Sequence, residues 1–76
     1  MDRPVDALIA SVLKIDPASI TDDLAYGDIP EWSSLAHVNL MLALEAQTGT
    51  TIDEDTMVSL LSVQDIRDYV TENQAR

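Results

Sequence analysis

Apolar residues recur along the first segment as Val5, Leu8, Ile9, Val12 and Leu13, spaced i, i+3, i+4, i+7 and i+8. That period gathers them on one face of an α-helix and predicts one over roughly residues 3 to 14. Asp2 is placed to cap its start, and Pro4 is tolerated in a first turn whose N–H groups have no intrahelical partner. The next stretch, IDPASITDDLAYGDIPEW, holds two of the chain's three prolines and one of its two glycines and keeps no period. A connection this long in a small domain is expected to lie packed across the fold or to be functional, with Leu24, Tyr26, Ile29 and Trp32 as its anchors.

The longest helix is predicted over residues 34–48, with Ser33 as its cap and Gly49 as its stop. On a wheel of about 100° per residue, Leu40, Met41 and Leu44, with Ala43, point one way, whereas Leu35, Val38 and Leu42 point the other. A helix needs one stripe for its own core. The second stripe is either buried too, as in a central helix, or an exposed ridge that meets a partner. Its start beside Ser34 and its flanks of Asn39, Glu45 and Ala46 favour the ridge. After Gly49, DEDTMVSLL reads as a short helix whose first-turn acids suit the helix dipole. Ser62 caps a last helix with Val63, Ile66, Tyr69 and Val70 facing inward, and Ser62-Val63-Gln64-Asp65 resembles a capping box with Asp for the usual Glu. The final TENQAR is expected to fray. No segment alternates like a strand, so the expected fold is all-α: a small bundle of three longer helices and one short one, filling a single domain over residues 1–76.

Composition then limits the function classes. A chain of 76 residues with 46% apolar content can close one small core. A charge of −10, from 14 acidic against 4 basic residues, repels nucleic acid and anionic membranes and suits protein partners with basic patches. The absence of cysteine excludes disulfides, thiol nucleophiles and thiolate metal sites. The start of the chain lacks a secretory pattern, and no apolar run approaches the roughly eighteen residues of a membrane span. The expectation is a mature, freestanding, cytoplasmic monomer.

The remaining chemistry gathers at EWSSL. A serine in the first turn of a helix is exposed beside unpaired backbone N–H groups, which with the helix dipole favour a phosphate attached there. The same serine is a poor nucleophile, because the only histidine, His37, points toward the Leu40 and Leu44 side and no oxyanion hole or second base accompanies it.

Trp32-Ser33-Ser34-Leu35, followed by His37, Val38, Asn39, Leu40, Leu44 and Glu45, resembles the signature of acyl carrier proteins and the related peptidyl carrier domains. The family motif is Asp-Ser-Leu at the start of the second helix, and the loop, the Gly49 to Ile52 segment and SVQDIRDYV sit at family spacings over nearly the whole chain. The resemblance implies that Ser34 carries a 4′-phosphopantetheine arm, with Leu35 fixing the register. It implies a non-enzymatic role, holding an acyl or aminoacyl group as a thioester on the arm. Leu35, Val38 and Leu42 match positions that meet partner enzymes, and Leu40, Ala43, Leu44, Ile52, Leu60, Ile66, Tyr69 and Val70 match core positions between which an acyl chain slips.

Three departures stand out. Ser33 replaces the usual Asp, a mild exchange for a cap that removes one charge beside the site. Asn39 and Ala46 stand where fatty-acid carriers are often acidic, so docking is expected to use the apolar ridge together with Asn39, and two acidic patches. One lies in the loop (Asp22, Asp23, Asp28, Glu31) and one in the short helix (Asp53, Glu54, Asp55). Both are read as solvated charge and neither as a metal site. Thr48 stands where the family often packs a phenylalanine, leaving a smaller core or one filled by Trp32 and Tyr26. The expected function is a carrier for a specialised polyketide, nonribosomal-peptide or ligase-fed pathway. Its partners are a phosphopantetheinyl transferase, an adenylating ligase or acyltransferase, and downstream enzymes with basic docking surfaces. The competing expectation keeps the fold without the arm, as an adaptor that only binds partners.

Overall fold

The first helix, α1, spans Pro4–Leu13 and ends where Lys14 takes a left-handed φ of 59°. The computed structural model describes residues 4–74, so the expected cap at Asp2 lies outside the described residues. A single 3-10 turn follows at Pro17–Ser19, with the Asp16 carboxylate accepting the Ala18 N–H at 2.9 Å. Helix α2 runs over Ser34–Thr48, α3 over Glu54–Met57 and α4 over Val63–Gln74. Among the described residues there is no strand, only an isolated bridge between Ala25 and Ser62.

Both expected boundaries of α2 hold: Ser33 is extended and caps, and Gly49 closes the helix at φ 72°, a left-handed turn that glycine adopts without penalty. The short helix is shorter than the expected reach of DEDTMVSLL, because after Met57 the chain passes into turns, with Ser59 N–H donating to Thr56 O and Leu60 N–H to Met57 O. At the other end, α4 continues through the first part of TENQAR to Gln74, where Asn73 donates its side-chain amide back to Tyr69 O at 2.8 Å. Ser62 Oγ accepts the Asp65 N–H as a cap should.

The core is built from one stripe of each long helix: Val5, Ile9, Ala10 and Leu13 of α1, Leu40, Met41 and Leu44 of α2, and Val63, Ile66 and Val70 of α4, closed by Ile52 and Leu60. Ala43 and Tyr69, expected inside, are only half-buried. The Tyr69 hydroxyl ends a half-buried chain of hydroxyls in which Thr48 donates to Leu44 O and meets Thr50, which meets Tyr69 at 2.6 Å. Thr48 is therefore a half-buried polar link, and of the two loop aromatics it is Trp32, 1% exposed, that enters the core.

The long loop lies packed across the fold. Trp32 and the unanticipated Ile20 are buried, Leu24 and Ile29 are half-buried, and Tyr26 keeps its ring outside. Its middle is strapped to the start of α4 by Tyr26 N–H to Leu61 O, Val63 N–H to Leu24 O and Gln64 N–H to Asp22 O. Arg67 of α4 forks onto Asp6 of α1, with Nε and Nη2 at 3.0 and 2.7 Å from the two carboxylate oxygens, and also pairs with Asp22. This corrects the reading of Asp22 as free surface charge: it helps hold the loop on α4.

Candidate functional site

The site is assembled where the loop enters α2. Ser33 Oγ accepts the Ala36 N–H at 3.3 Å and its carbonyl accepts the His37 N–H at 2.8 Å. Those two bonds leave the N–H groups of Ser34 and Leu35 without a partner among the described residues, as expected for the first residues of a helix. Ser34 is exposed, and its Oγ lies 2.7 Å from the Tyr26 hydroxyl.

His37 faces inward. Trp32 Nε1–H donates to its Nδ1 at 3.0 Å, which leaves the proton on Nε2, and Nε2 donates to Met57 O at 3.1 Å. Both ring nitrogens are thus committed to tying the loop, α2 and the end of α3 together. The imidazole has no free lone pair to serve Ser34 as a base, and among the described residues no catalytic constellation forms around this serine.

Beside Ser34 an apolar groove of about 300 Å³ is lined by Tyr26, His37, Val38, Met57, Val58 and Leu61. The second stripe of α2 is exposed as a ridge, with Leu35 73%, Val38 42% and Leu42 58% accessible, and Asn39 is exposed within it. Val58 and Leu61 extend this surface, which the pattern of α2 alone could not reveal.

The acidic residues divide. Glu31, Glu54 and Asp55 are exposed. Asp28 accepts the Ala25 N–H at 2.9 Å, Asp23 accepts the Thr21 hydroxyl at 2.7 Å, and Glu45 accepts the Ile52 N–H at 2.7 Å. Asp53 caps α3 through the Thr56 N–H, and that bond holds its carboxyl below the ordinary value. Exposed carboxylates in the loop and α3 are therefore partly engaged in turns and caps, and α2 presents no unengaged carboxylate. Among the described residues no helix is long and apolar enough to cross a membrane.

The Trp32–His37 and Tyr26–Ser34 contacts were not anticipated. The inward wheel position of His37 was a usable signal for the first, since a buried imidazole requires partners. Nothing local signalled the second.

The chain is similar to known proteins over most of its length. The chain is 30% identical over 71 residues to the acyl carrier protein of Thermosynechococcus vestitus, a match covering 93% of this chain and 88% of that protein. It is 31% identical over 75 residues to the acyl carrier proteins of Rickettsia typhi and Rickettsia prowazekii, covering 99% of this chain and 87% of each. The chain belongs to the acyl carrier protein family. No protein-family model matches it. Membership makes it a non-catalytic carrier rather than an enzyme and implies a covalently attached phosphopantetheine. The exposed hydroxyl of Ser34, the free N–H groups beside it and the apolar groove at its side suit a phosphate ester continued by a long, partly apolar arm.

Proposed function

We propose that Ser34 is the attachment point of the 4′-phosphopantetheine arm and that the chain carries an acyl group on it. The observation that carries this reading is the position of Ser34: an exposed hydroxyl in the first turn of α2, at the mouth of an apolar groove and at the start of an apolar ridge. When bound, the arm supplies a thiol that this cysteine-free chain lacks, and with it a thioester link to the cargo. The chain's own residues present the hydroxyl, offer N–H groups to the phosphate and line the groove. Tethering raises the cargo's effective concentration at whichever enzyme docks.

Docking is assigned to Leu35, Val38, Asn39 and Leu42, with Glu31, Glu54 and Asp55 offering charge to basic surfaces and Asp28 and Asp53 contributing what their turn and cap bonds leave free. The partners are a phosphopantetheinyl transferase, an enzyme that charges the arm, and enzymes that draw on the cargo. The relatives' names point to an acyl cargo over an aminoacyl one and give no support to a specialised polyketide or nonribosomal-peptide pathway.

The test is loading by a phosphopantetheinyl transferase with coenzyme A, read by intact-protein mass spectrometry. Wild type and Ser33→Ala are expected to gain one arm, and Ser34→Ala none. A wild type that stays unmodified in vitro and in its host would return the chain to the adaptor role, and loading lost in Ser33→Ala but kept in Ser34→Ala would move the site by one residue.

A further inference from the structure

Unlike the buried Trp32, Tyr26 is 39% exposed, yet both its backbone and its ring are held in place. Its backbone N–H donates to Leu61 O at 2.7 Å beside the Ala25–Ser62 bridge, and Gly27, at φ 87°, donates to Trp32 O at 3.3 Å. The ring lies tilted against the His37 imidazole, centroids 5.3 Å apart, and that imidazole is itself pinned to Trp32 and Met57. From this support the phenol reaches Ser34 Oγ at 2.7 Å. A bond between two exposed hydroxyls exchanges for water with little net gain, so it adds little to stability. What it changes is geometry. An unrestrained serine side chain spreads over three staggered χ1 wells, and a partner on a rigid support selects one.

We propose that Tyr26 is a positioning residue for Ser34, its phenol holding the hydroxyl in one rotamer at the mouth of the groove for loading and holding the phosphodiester there afterwards. This rests on Ser34 as the attachment site. In loading, a bond forms between Ser34 Oγ and the phosphorus of coenzyme A as the pyrophosphate P–O bond breaks. Adenosine 3′,5′-bisphosphate leaves, and the Oγ proton passes to a base of the transferase. With Tyr26 donating, that proton points away from the phenol and is open to the base. Once esterified, Oγ has no proton, so the contact persists only with Tyr26 as donor to the ester.

The test uses Tyr26→Phe, which keeps the ring against His37 and removes only the hydroxyl. In the unloaded protein, the three-bond Hα–Hβ couplings of Ser34 are expected to report one rotamer in wild type and averaging in Tyr26→Phe. The variant's kcat for loading should fall about threefold, the number of wells released, with KM for the carrier and the melting temperature unchanged. The 31P resonance of the loaded protein should shift between the two. Averaged couplings in wild type, or couplings and kcat unchanged in Tyr26→Phe, overturn the role of Tyr26 while leaving Ser34 in place. A wild type with a single Ser34 rotamer that no transferase loads instead overturns the attachment reading and, with it, the loading role of Tyr26.

Discussion

On one face of α2, Leu40, Met41 and Leu44 are shut into the core with residues of α1 and α4; on the other, Leu35, Val38 and Leu42 stand in solvent. The two sets are chemically alike, so hydrophobicity by itself does not decide which is core. Leaving a large apolar side chain in water forgoes about 1.5–3 kcal/mol that burial would supply. Three such residues in a row on one ridge, beside a modifiable serine, are best explained by burial against a partner. The contrast between stability and docking is open to direct attack. Leu44→Ala should cost about 2–5 kcal/mol in urea unfolding, whereas Leu42→Ala should stay within about 0.5 kcal/mol and weaken binding to a carrier-dependent enzyme. Equal losses of stability in both variants would erase the distinction between the faces.

His37 lies on the inner face, buried with Leu40, Met41 and Leu44, and tests how that face is tied to the site. Replacing it with Leu leaves the Trp32 indole N–H and the Met57 carbonyl without their partner, a loss of about 1–3 kcal/mol. Trp32 is the only tryptophan, so its emission reports the change directly. An unaltered spectrum and unaltered stability would show that the indole–imidazole bond does not tie the loop to α2.

The helices were legible because their information is local: Val5 to Leu13 and Val63 to Val70 repeat within a few residues, and Ser33 and Gly49 mark α2 by side-chain chemistry at its ends. The choice of Ser34 over Ser33 rests instead on the family resemblance, in which Leu35 fixes the register. The pattern after Asp53 predicts too long a helix because Met57, Val58, Leu60 and Leu61 are apolar at both helical and non-helical spacings, and only backbone bonding separates a helix from turns. Contacts that join distant residues left no local trace. Arg67 meets Asp6 across 61 positions, and Tyr26 meets Ser34 only because the loop is strapped to α4.

A smaller effect tests whether the exposed face owes its start to the cap. Ser33→Ala should lower stability by about 1 kcal/mol through loss of the bond to the Ala36 N–H, measured by thermal or urea unfolding. Ser33→Asp, restoring the usual family residue, should retain the cap. Equal destabilisation by both substitutions would mean that capping is not what Ser33 supplies.

The acids repeat the division between inner and outer work on a finer scale, and Asp53 is where it can be resolved. Although Asp53 is exposed, its carboxylate accepts the Thr56 N–H, and this bond to the charged form holds its pKa below 3.8. A carboxyl whose folded value is depressed contributes its full stability above the unfolded value and loses it as pH falls through the folded one. The cap on α3 should therefore persist down to about pH 3.8 and weaken below it. Global acid unfolding would blur this, since Asp53 is one of 14 acidic residues in the chain. The Thr56 amide shift isolates it: its midpoint should fall below 3.8 in wild type, and the transition should vanish in Asp53→Asn, which keeps a capping oxygen without a titratable proton. Glu54 and Asp55 carry no such bond, so their substitution by Gln and Asn should leave the Thr56 midpoint below 3.8 and act on partner docking instead. A Thr56 midpoint that follows Glu54 or Asp55 would place the three acids in one solvated patch, with no inner role for Asp53.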